Sequence, residues 1–276
     1  MSDLRTILDR IDFTDDALVQ KQLADQHSRV RERLAQIQNI VLVMSGKGGV
    51  GKSTVTANLG MALARTGLKV GILDADLNGP SIPHMLGLQD QNWRPNGQQV
   101  EPAIGPSGLR VASMGFFLDQ DQPVRWDGPT HLSHVWLGML ESGTLREFLG
   151  DVHWGQLDVL LVDMPPGAAA DKPPAILQFI PDAAGAVFVT TPSKVTVSVV
   201  RRSVAYANDL GLRILGLVEN FADLFGESNA ADDCLQKIPY DPDLARSLDT
   251  GEPLPANHPA AAMFDNLAAK LMETLR

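Results

Sequence analysis

The amino-acid sequence predicts an α/β fold, doubly wound, with a mostly parallel sheet and helices on both faces. Three observations carry that prediction. Short apolar runs at residues 39–43, 69–73, 157–162, 184–190 and 213–219 alternate with stretches of helical periodicity. The run at 157–162 is continuously apolar, as expected of a strand covered on both faces. Acids stand at the ends of two runs, and a glycine-rich loop follows the first, at the strand ends where open α/β sheets bind ligands.

Composition narrows the function classes. At 276 residues and 44% hydrophobic content, the chain has ample core for one large domain or two small ones. A net charge of −10 argues against nonspecific nucleic-acid binding, which needs a basic face to displace counterions. A single cysteine permits no internal disulfide framework, and no run reads as a leader or reaches membrane-spanning length. The expectation is a soluble, cytoplasmic protein with neither nucleic acid nor membrane as partner.

Residues 1–38 read as a helical arm ahead of one nucleotide-binding domain at 39–276. Leu4, Ile7, Leu8 and Ile11 fall at i, i+3, i+4 and i+7, and Val19, Leu23, Val30, Leu34 and Ile37 continue a looser stripe. Such an arm covers the core or a dimer surface, or docks a partner protein. Arg29, Arg31 and Arg33 are interleaved with polar residues, as on a solvated face.

Within Met44-Ser45-Gly46-Lys47-Gly48-Gly49-Val50-Gly51-Lys52-Ser53-Thr54, the stretch from Gly46 to Ser53 fits G-x-x-x-x-G-K-[ST] between a strand and a helix. Its glycines let backbone N–H groups turn inward around phosphate oxygens, and the helix N-terminus adds partial positive charge. Lys52 is placed to reach the β/γ-phosphates, and the Ser53 hydroxyl suits Mg²⁺. A nucleoside triphosphate is the ligand of such a loop. The helix at 51–65 stops at Gly67, and the strand at 69–73 runs into Asp74 and Asp76. Beside a phosphate loop, Asp74 would organise the magnesium shell and Asp76 would hold the attacking water.

The string from Lys47 to Ser53 resembles the deviant loop of the MinD/ParA/nitrogenase-iron-protein superfamily. There the first lysine crosses a dimer interface to the partner's nucleotide, and the resemblance implies that role, and a homodimer, for Lys47. Asp74-Ala75-Asp76-Leu77-Asn78-Gly79-Pro80-Ser81-Ile82-Pro83-His84-Met85-Leu86-Gly87 is similar to the D-A-D-x-x-G-P-S-I-P-x-x-L-G segment of the Mrp/ApbC group. Those are P-loop ATPases associated with iron–sulfur cluster assembly and transfer. The resemblance implies ATP with Mg²⁺, phosphoryl charge stabilised by Lys47 and Lys52, and an apo-protein client or assembly partner.

Residues 99–104 and 109–114 read as a hairpin across 105–108. Trp126-Asp127-Gly128-Pro129 resembles the group's W-R-G-P turn, with an acid in place of the arginine. His131 and His134 stand at a helix start without third and fourth donors, so they read as surface or capping residues. Asp163-Met164-Pro165-Pro166-Gly167 joins an acid that would hold Mg²⁺ through water to a proline-stiffened switch. Relatives continue D-x-P-P-G-T-G-D, whereas Gly167-Ala168-Ala169-Ala170-Asp171 lacks the threonine and displaces the acid. That departure bears on hydrolysis rate and coupling rather than on binding.

A strand at 184–190, a helix at 194–210 and a strand at 213–219 follow, the last ending in Asn220. The resemblance places Asn220 and the turn Ile238-Pro239-Tyr240-Asp241-Pro242 beside the adenine. The expected nucleotide set is therefore Gly46, Lys47, Gly48, Gly49, Val50, Gly51, Lys52, Ser53 and Thr54 with Asn220, Pro239 and Asp241, and the magnesium set is Ser53, Asp74 and Asp163. Asn220 offers a donor and an acceptor to a base edge, or simply ends a strand. Cluster-carrying members place a C-P-x-C pair between these landmarks. This chain has Phe221-Ala222-Asp223-Leu224-Phe225-Gly226-Glu227-Ser228 there, and Cys234 alone. Two protomers would bring two thiolates where a cluster takes four, so Cys234 is a weak iron–sulfur candidate, either part of a labile site or an ordinary core or surface cysteine. The last helix, 260–275, carries an apolar stripe without basic excess and is expected to pack on the sheet rather than on lipid.

The resulting expectation is a homodimeric, slow Mg²⁺/ATP-dependent switch ATPase resembling the iron–sulfur cluster carriers. The competing expectation is a MinD/ParA-like positioning or regulatory ATPase that recruits protein partners and carries no cluster.

Overall fold

Helix α1 (Asp16–Leu34) leads into the nine-residue strand β1 (Ile37–Ser45), which runs straight into the glycine-rich loop. The computed structural model describes residues 16–91, 95–96, 99–117, 133–167, 176–224 and 234–276. The Trp126–Pro129 turn, His131, residues 168–171 and residues 225–233 lie outside them, as does the side chain of His134. After the loop come α2 (Lys52–Arg65), β2 (Val70–Asp74), the single turn α3 (Ile82–Met85) and a small ladder of β3 (Pro95–Asn96) with β4 (Gln99–Val100). The chain continues through β5 (Ala103–Ile104), β6 (Arg110–Ser113), α4 (Ser133–Gly150), β7 (Leu157–Asp163), β8 (Gly185–Thr190) and α5 (Lys194–Asp209). It closes with β9 (Ile214–Asn220), β10 (Cys234–Ile238), α6 (Pro242–Thr250) and α7 (Pro259–Thr274).

The main sheet has eight strands in the order β10-β9-β8-β1-β7-β2-β6-β5, all parallel except the edge strand β5. Alternate residues of β1 serve opposite faces, as the period of two requires. Val41 and Val43 join the core under α2 and α7, whereas Leu42 and Met44 join the core under α1, α4 and α5. The fold is therefore doubly wound, as the alternation of runs predicts. The register brings Val43 of β1 and Asp74 of β2 level with Asp163 of β7, so β2 and β7 end together beside β1, which runs on to Ser45.

The hairpin at 99–114 is narrower than its sequence reading. Only Ala103–Ile104 pairs antiparallel with β6, and Gln99–Val100 turns back onto Pro95–Asn96 instead. The strand β10 and the helix α6 have no counterpart among the apolar runs. Asp241 caps α6 by accepting from the Asp243 and Leu244 N–H groups at 2.9 Å, and Pro242 stands at the first helical position. The edge of β10 is occupied by side chains: Lys270 Nζ donates to the Leu235 carbonyl at 2.6 Å, and the Gln236 amide to the Lys237 carbonyl at 3.0 Å.

Helix α1 is held against α4. Val30 is 2% exposed in the same core as Phe148 and Leu149. A Cβ on Gly150 would lie 3.1 Å from Val30 Cγ2, so the two helices cross in close contact. Arg33 Nε donates to the Gly150 carbonyl at 3.4 Å, and Arg29 lies 3.7 Å from the Asp151 carboxylate. Burial pushes the Glu147 carboxyl in this seam up to about 7, and the charge of Asp151 adds to the rise.

Candidate active site

At the end of β1 the chain turns through the loop and enters α2 from Gly51, which has φ 82° and ψ 29°. Only glycine reaches this left-handed conformation freely, and here a side chain is excluded twice. A Cβ on Gly51 would stand 2.1 Å from Asn220 Nδ2. That amide, at the end of β9, donates to the Val50 carbonyl at 3.0 Å. Lys47, Gly48 and Gly49 are exposed along the outer side of the loop, while Gly46 and Val50 are buried.

The first turn of α2 converges on Asp163, which is fully buried at the end of β7. Lys52 Nζ lies 2.7 Å from Asp163 Oδ1. The Ser53 hydroxyl donates to Asp163 Oδ2 at 2.6 Å, and Lys52 Nζ donates to Ser53 Oγ at 3.2 Å. The Thr56 hydroxyl donates to Asp163 Oδ1 at 2.6 Å, with the Lys52 carbonyl oxygen 3.0 Å away. Thr56 is absent from the sequence-predicted set. Its signal was available, because Ser53 and Thr56 are three apart on one helix and so share a face.

Asp74 lies beside Asp163 on the neighbouring strand and is also fully buried. Its Oδ2 accepts from the Ser113 hydroxyl at 3.0 Å and from the Ser81 and Ile82 N–H groups at 3.1 and 3.2 Å. Burial pushes its carboxyl up to about 7, the Asp163 charge adds to the rise, and Lys52 pulls against it. Two buried carboxylates and a hydroxyl form an all-oxygen donor set whose charge a divalent cation would neutralise, so the residues fit Mg²⁺. Asp76, two residues on, accepts from the Gly79 N–H at 3.2 Å, and its own N–H donates to Asp74 Oδ1 at 3.3 Å. Ser53, Asp74 and Asp163 thus come together, and Asp76 stands next to them on a partly exposed turn.

Beyond the loop lies a cleft of about 380 Å³, lined by Lys47, Thr196 and the neighbouring rings of Phe221 and Tyr240. The two aromatic residues are held by bonds between the tips of β9 and β10. The Ala222 N–H donates to the Ile238 carbonyl at 3.0 Å, and the Tyr240 N–H to Asp223 Oδ1 at 2.6 Å. The rings of Phe221 and Tyr240 stand 6.4 Å apart at 42°. Asn220 and Pro239 adjoin these two residues, but one amide hydrogen of Asn220 is committed to the loop, and the Asp241 carboxylate to the start of α6. Cys234 is the first residue of β10, opposite Leu217, and so stands on a strand four residues before the Ile238–Asn220 end of the ladder. Among the described residues, no helix is long and apolar enough to cross a membrane.

Comparison with known proteins gives consistent results. The family described as "ParA: NUBPL iron-transfer P-loop NTPase" matches residues 36–232. The chain is 38% identical to an iron-sulfur cluster carrier protein of Saccharolobus solfataricus, covering 92% of this chain and 90% of that one. It is also 38% identical to the cytosolic Fe-S cluster assembly factor NUBP2 of Bos taurus, over 86% of this chain and 92% of the relative. Among solved structures, a nucleotide-binding protein from Archaeoglobus fulgidus in complex with ADP superposes with a TM-score of 0.68 at 38% identity, covering 82% of this chain and 91% of that one.

Proposed function

The chain belongs to the family described as ParA: NUBPL iron-transfer P-loop NTPase, and from that premise we propose that it is a homodimeric, Mg²⁺- and ATP-dependent switch ATPase acting in iron–sulfur cluster assembly. The observation that carries this reading is the convergence of Lys52, Ser53 and Thr56 on the buried Asp163 carboxylate, all within 2.7 Å. The phosphates of ATP enter the loop from its exposed side at Lys47, Gly48 and Gly49. Lys52 exchanges its ion pair with Asp163 for phosphate oxygens, and Thr56 keeps the carboxylate in place. Ser53, Asp74 and Asp163 would hold Mg²⁺, which supplies neutralisation of phosphate charge when bound. Asp76 orients the attacking water, and Lys47 serves the nucleotide of the partner copy. The adenine lies toward Asn220 and Pro239. Hydrolysis is slow, because Gly167-Ala168-Ala169-Ala170 brings no side-chain hydroxyl to the switch.

One cysteine per chain gives a dimer two of the four thiolates that a cluster takes. The reading therefore assigns this chain the switch and leaves the cluster to its client. Turnover by Lys52→Ala protein is expected to fall by about a hundredfold or more, as when one stabiliser of transition-state charge is removed. Wild-type turnover in that variant would sink the site assignment. Anaerobic reconstitution followed by absorbance and iron counting is expected to leave no stable iron on the chain alone. A stable cluster that disappears in Cys234→Ser protein would make the chain a carrier instead.

A further inference from the structure

The ammonium of Lys52 stands among the residues that would hold Mg²⁺. It lies 2.7 Å from Asp163 Oδ1 and donates to Ser53 Oγ at 3.2 Å, so it bridges two of those three residues. The Ser53 hydroxyl spends its own hydrogen on Asp163 Oδ2 at 2.6 Å. Lys52 also favours the charged form of Asp74, the third residue of the set. The lysine is 6% exposed and Asp163 fully buried, so water and salt screen the pair little.

Two buried carboxylates side by side need positive charge, because a buried charge left alone is costly. Among the described residues, no other cation pairs with Asp74 or Asp163. Lys52 therefore does in the empty site what a divalent cation would do in the filled one. Its ammonium cannot simply be pushed aside, since breaking a buried pair strands the partner that is left. Phosphate oxygens offer the ammonium a new partner, and they reach it from the exposed side of the loop at Lys47, Gly48 and Gly49.

We propose that Lys52 is a stand-in cation that closes the magnesium position of the nucleotide-free chain. Ser53 and Asp163 become available to a divalent ion only after phosphate has drawn the ammonium off the carboxylate. This rests on the nucleotide and magnesium reading above and adds to it an order of binding, in which the chain takes up no divalent ion at these residues by itself.

The test is Mn²⁺ titration of the full, nucleotide-free chain, with the unbound ion counted by its electron paramagnetic resonance. The wild type is expected to take up Mn²⁺ only when ADP is added, after correction for the Mn²⁺ that ADP holds in solution. Lys52→Met keeps the buried stem and removes the charge. Without nucleotide it is expected to bind Mn²⁺ about a hundredfold more tightly than the wild type, the factor that one broken buried ion pair represents. Lys52→Ala is expected to match it, so the outcome does not hang on the folding of one variant. Asp163→Asn added to either should abolish the uptake. A nucleotide-free wild type that binds Mn²⁺ as tightly as its ADP complex overturns the proposal. So do lysine variants that take up none, or whose uptake survives Asp163→Asn. A wild type to which ADP brings no Mn²⁺ overturns the magnesium reading instead.

Discussion

Asp163 takes one contact each from Lys52, Ser53 and Thr56, and only the first two are expected to leave it for a nucleotide or a metal. Thr56 is thus the constant partner that orients the carboxylate. Removal of an outer partner of a metal-binding carboxylate typically costs roughly 10- to 100-fold in metal affinity or activity. Thr56→Val protein should accordingly need about tenfold more Mg²⁺ for half-maximal ATP turnover, with turnover recovering at saturating metal, which a Mg²⁺ titration reads directly. At this scale the sequence was informative wherever chemistry and spacing coincide in one motif: Gly46 to Ser53, the Asp74–Asp76 pair, Asp163. It was uninformative for Thr196, Phe221 and Tyr240. Those residues meet the loop only because β8, β9 and β10 lie side by side, and local patterning does not encode that adjacency.

Between elements, the α1–α4 seam combines a buried valine with charged groups that water only partly reaches. Glu147 faces Asp151 together with Arg29 and Arg146. The folded protein holds the Glu147 proton up to about 7, whereas the unfolded chain releases it near the ordinary value of 4.5. Between those values the native state binds more protons, so stability falls as pH rises and levels off above about 7. Glu147→Gln removes this slope, and the difference between the two proteins' melting temperatures should widen from pH 4.5 toward 7 and stay constant beyond it. A difference that does not change with pH would exclude Glu147 as its source. The stripe that includes Val30 and Leu34 was readable as a packing face, because helical spacing exposes it. The short strand β10 was not, since Cys234 to Ile238 is a mixed run whose strand character comes from pairing with β9.

For the whole molecule, the sheet order sets β1 at the centre and gathers the loop, both buried acids and the tips of β8, β9 and β10 along one edge. The alternation of apolar runs announced that architecture, as did the acids at the strand ends. Association lay beyond it, because a dimer is a property of two surfaces and Lys47 is the one residue through which the sequence spoke of a partner. Lys47→Ala protein is expected to bind ADP as the wild type does and to stay monomeric with the β,γ-imido analogue of ATP. Light scattering of both proteins with each nucleotide checks this, and an analogue-induced dimer of the variant would remove Lys47 from the interface.

Asn220 links two regions that the chain separates by 170 residues. Its amide holds the Val50 carbonyl, and its backbone continues into the segment Phe221–Leu224. Gly51 leaves no room for slack, since the same amide fills the space that any side chain there would need. The phosphate loop and that segment therefore form a lever with a single-residue arm. When Val50 moves, Phe221 must follow, or the bond at 3.0 Å must break.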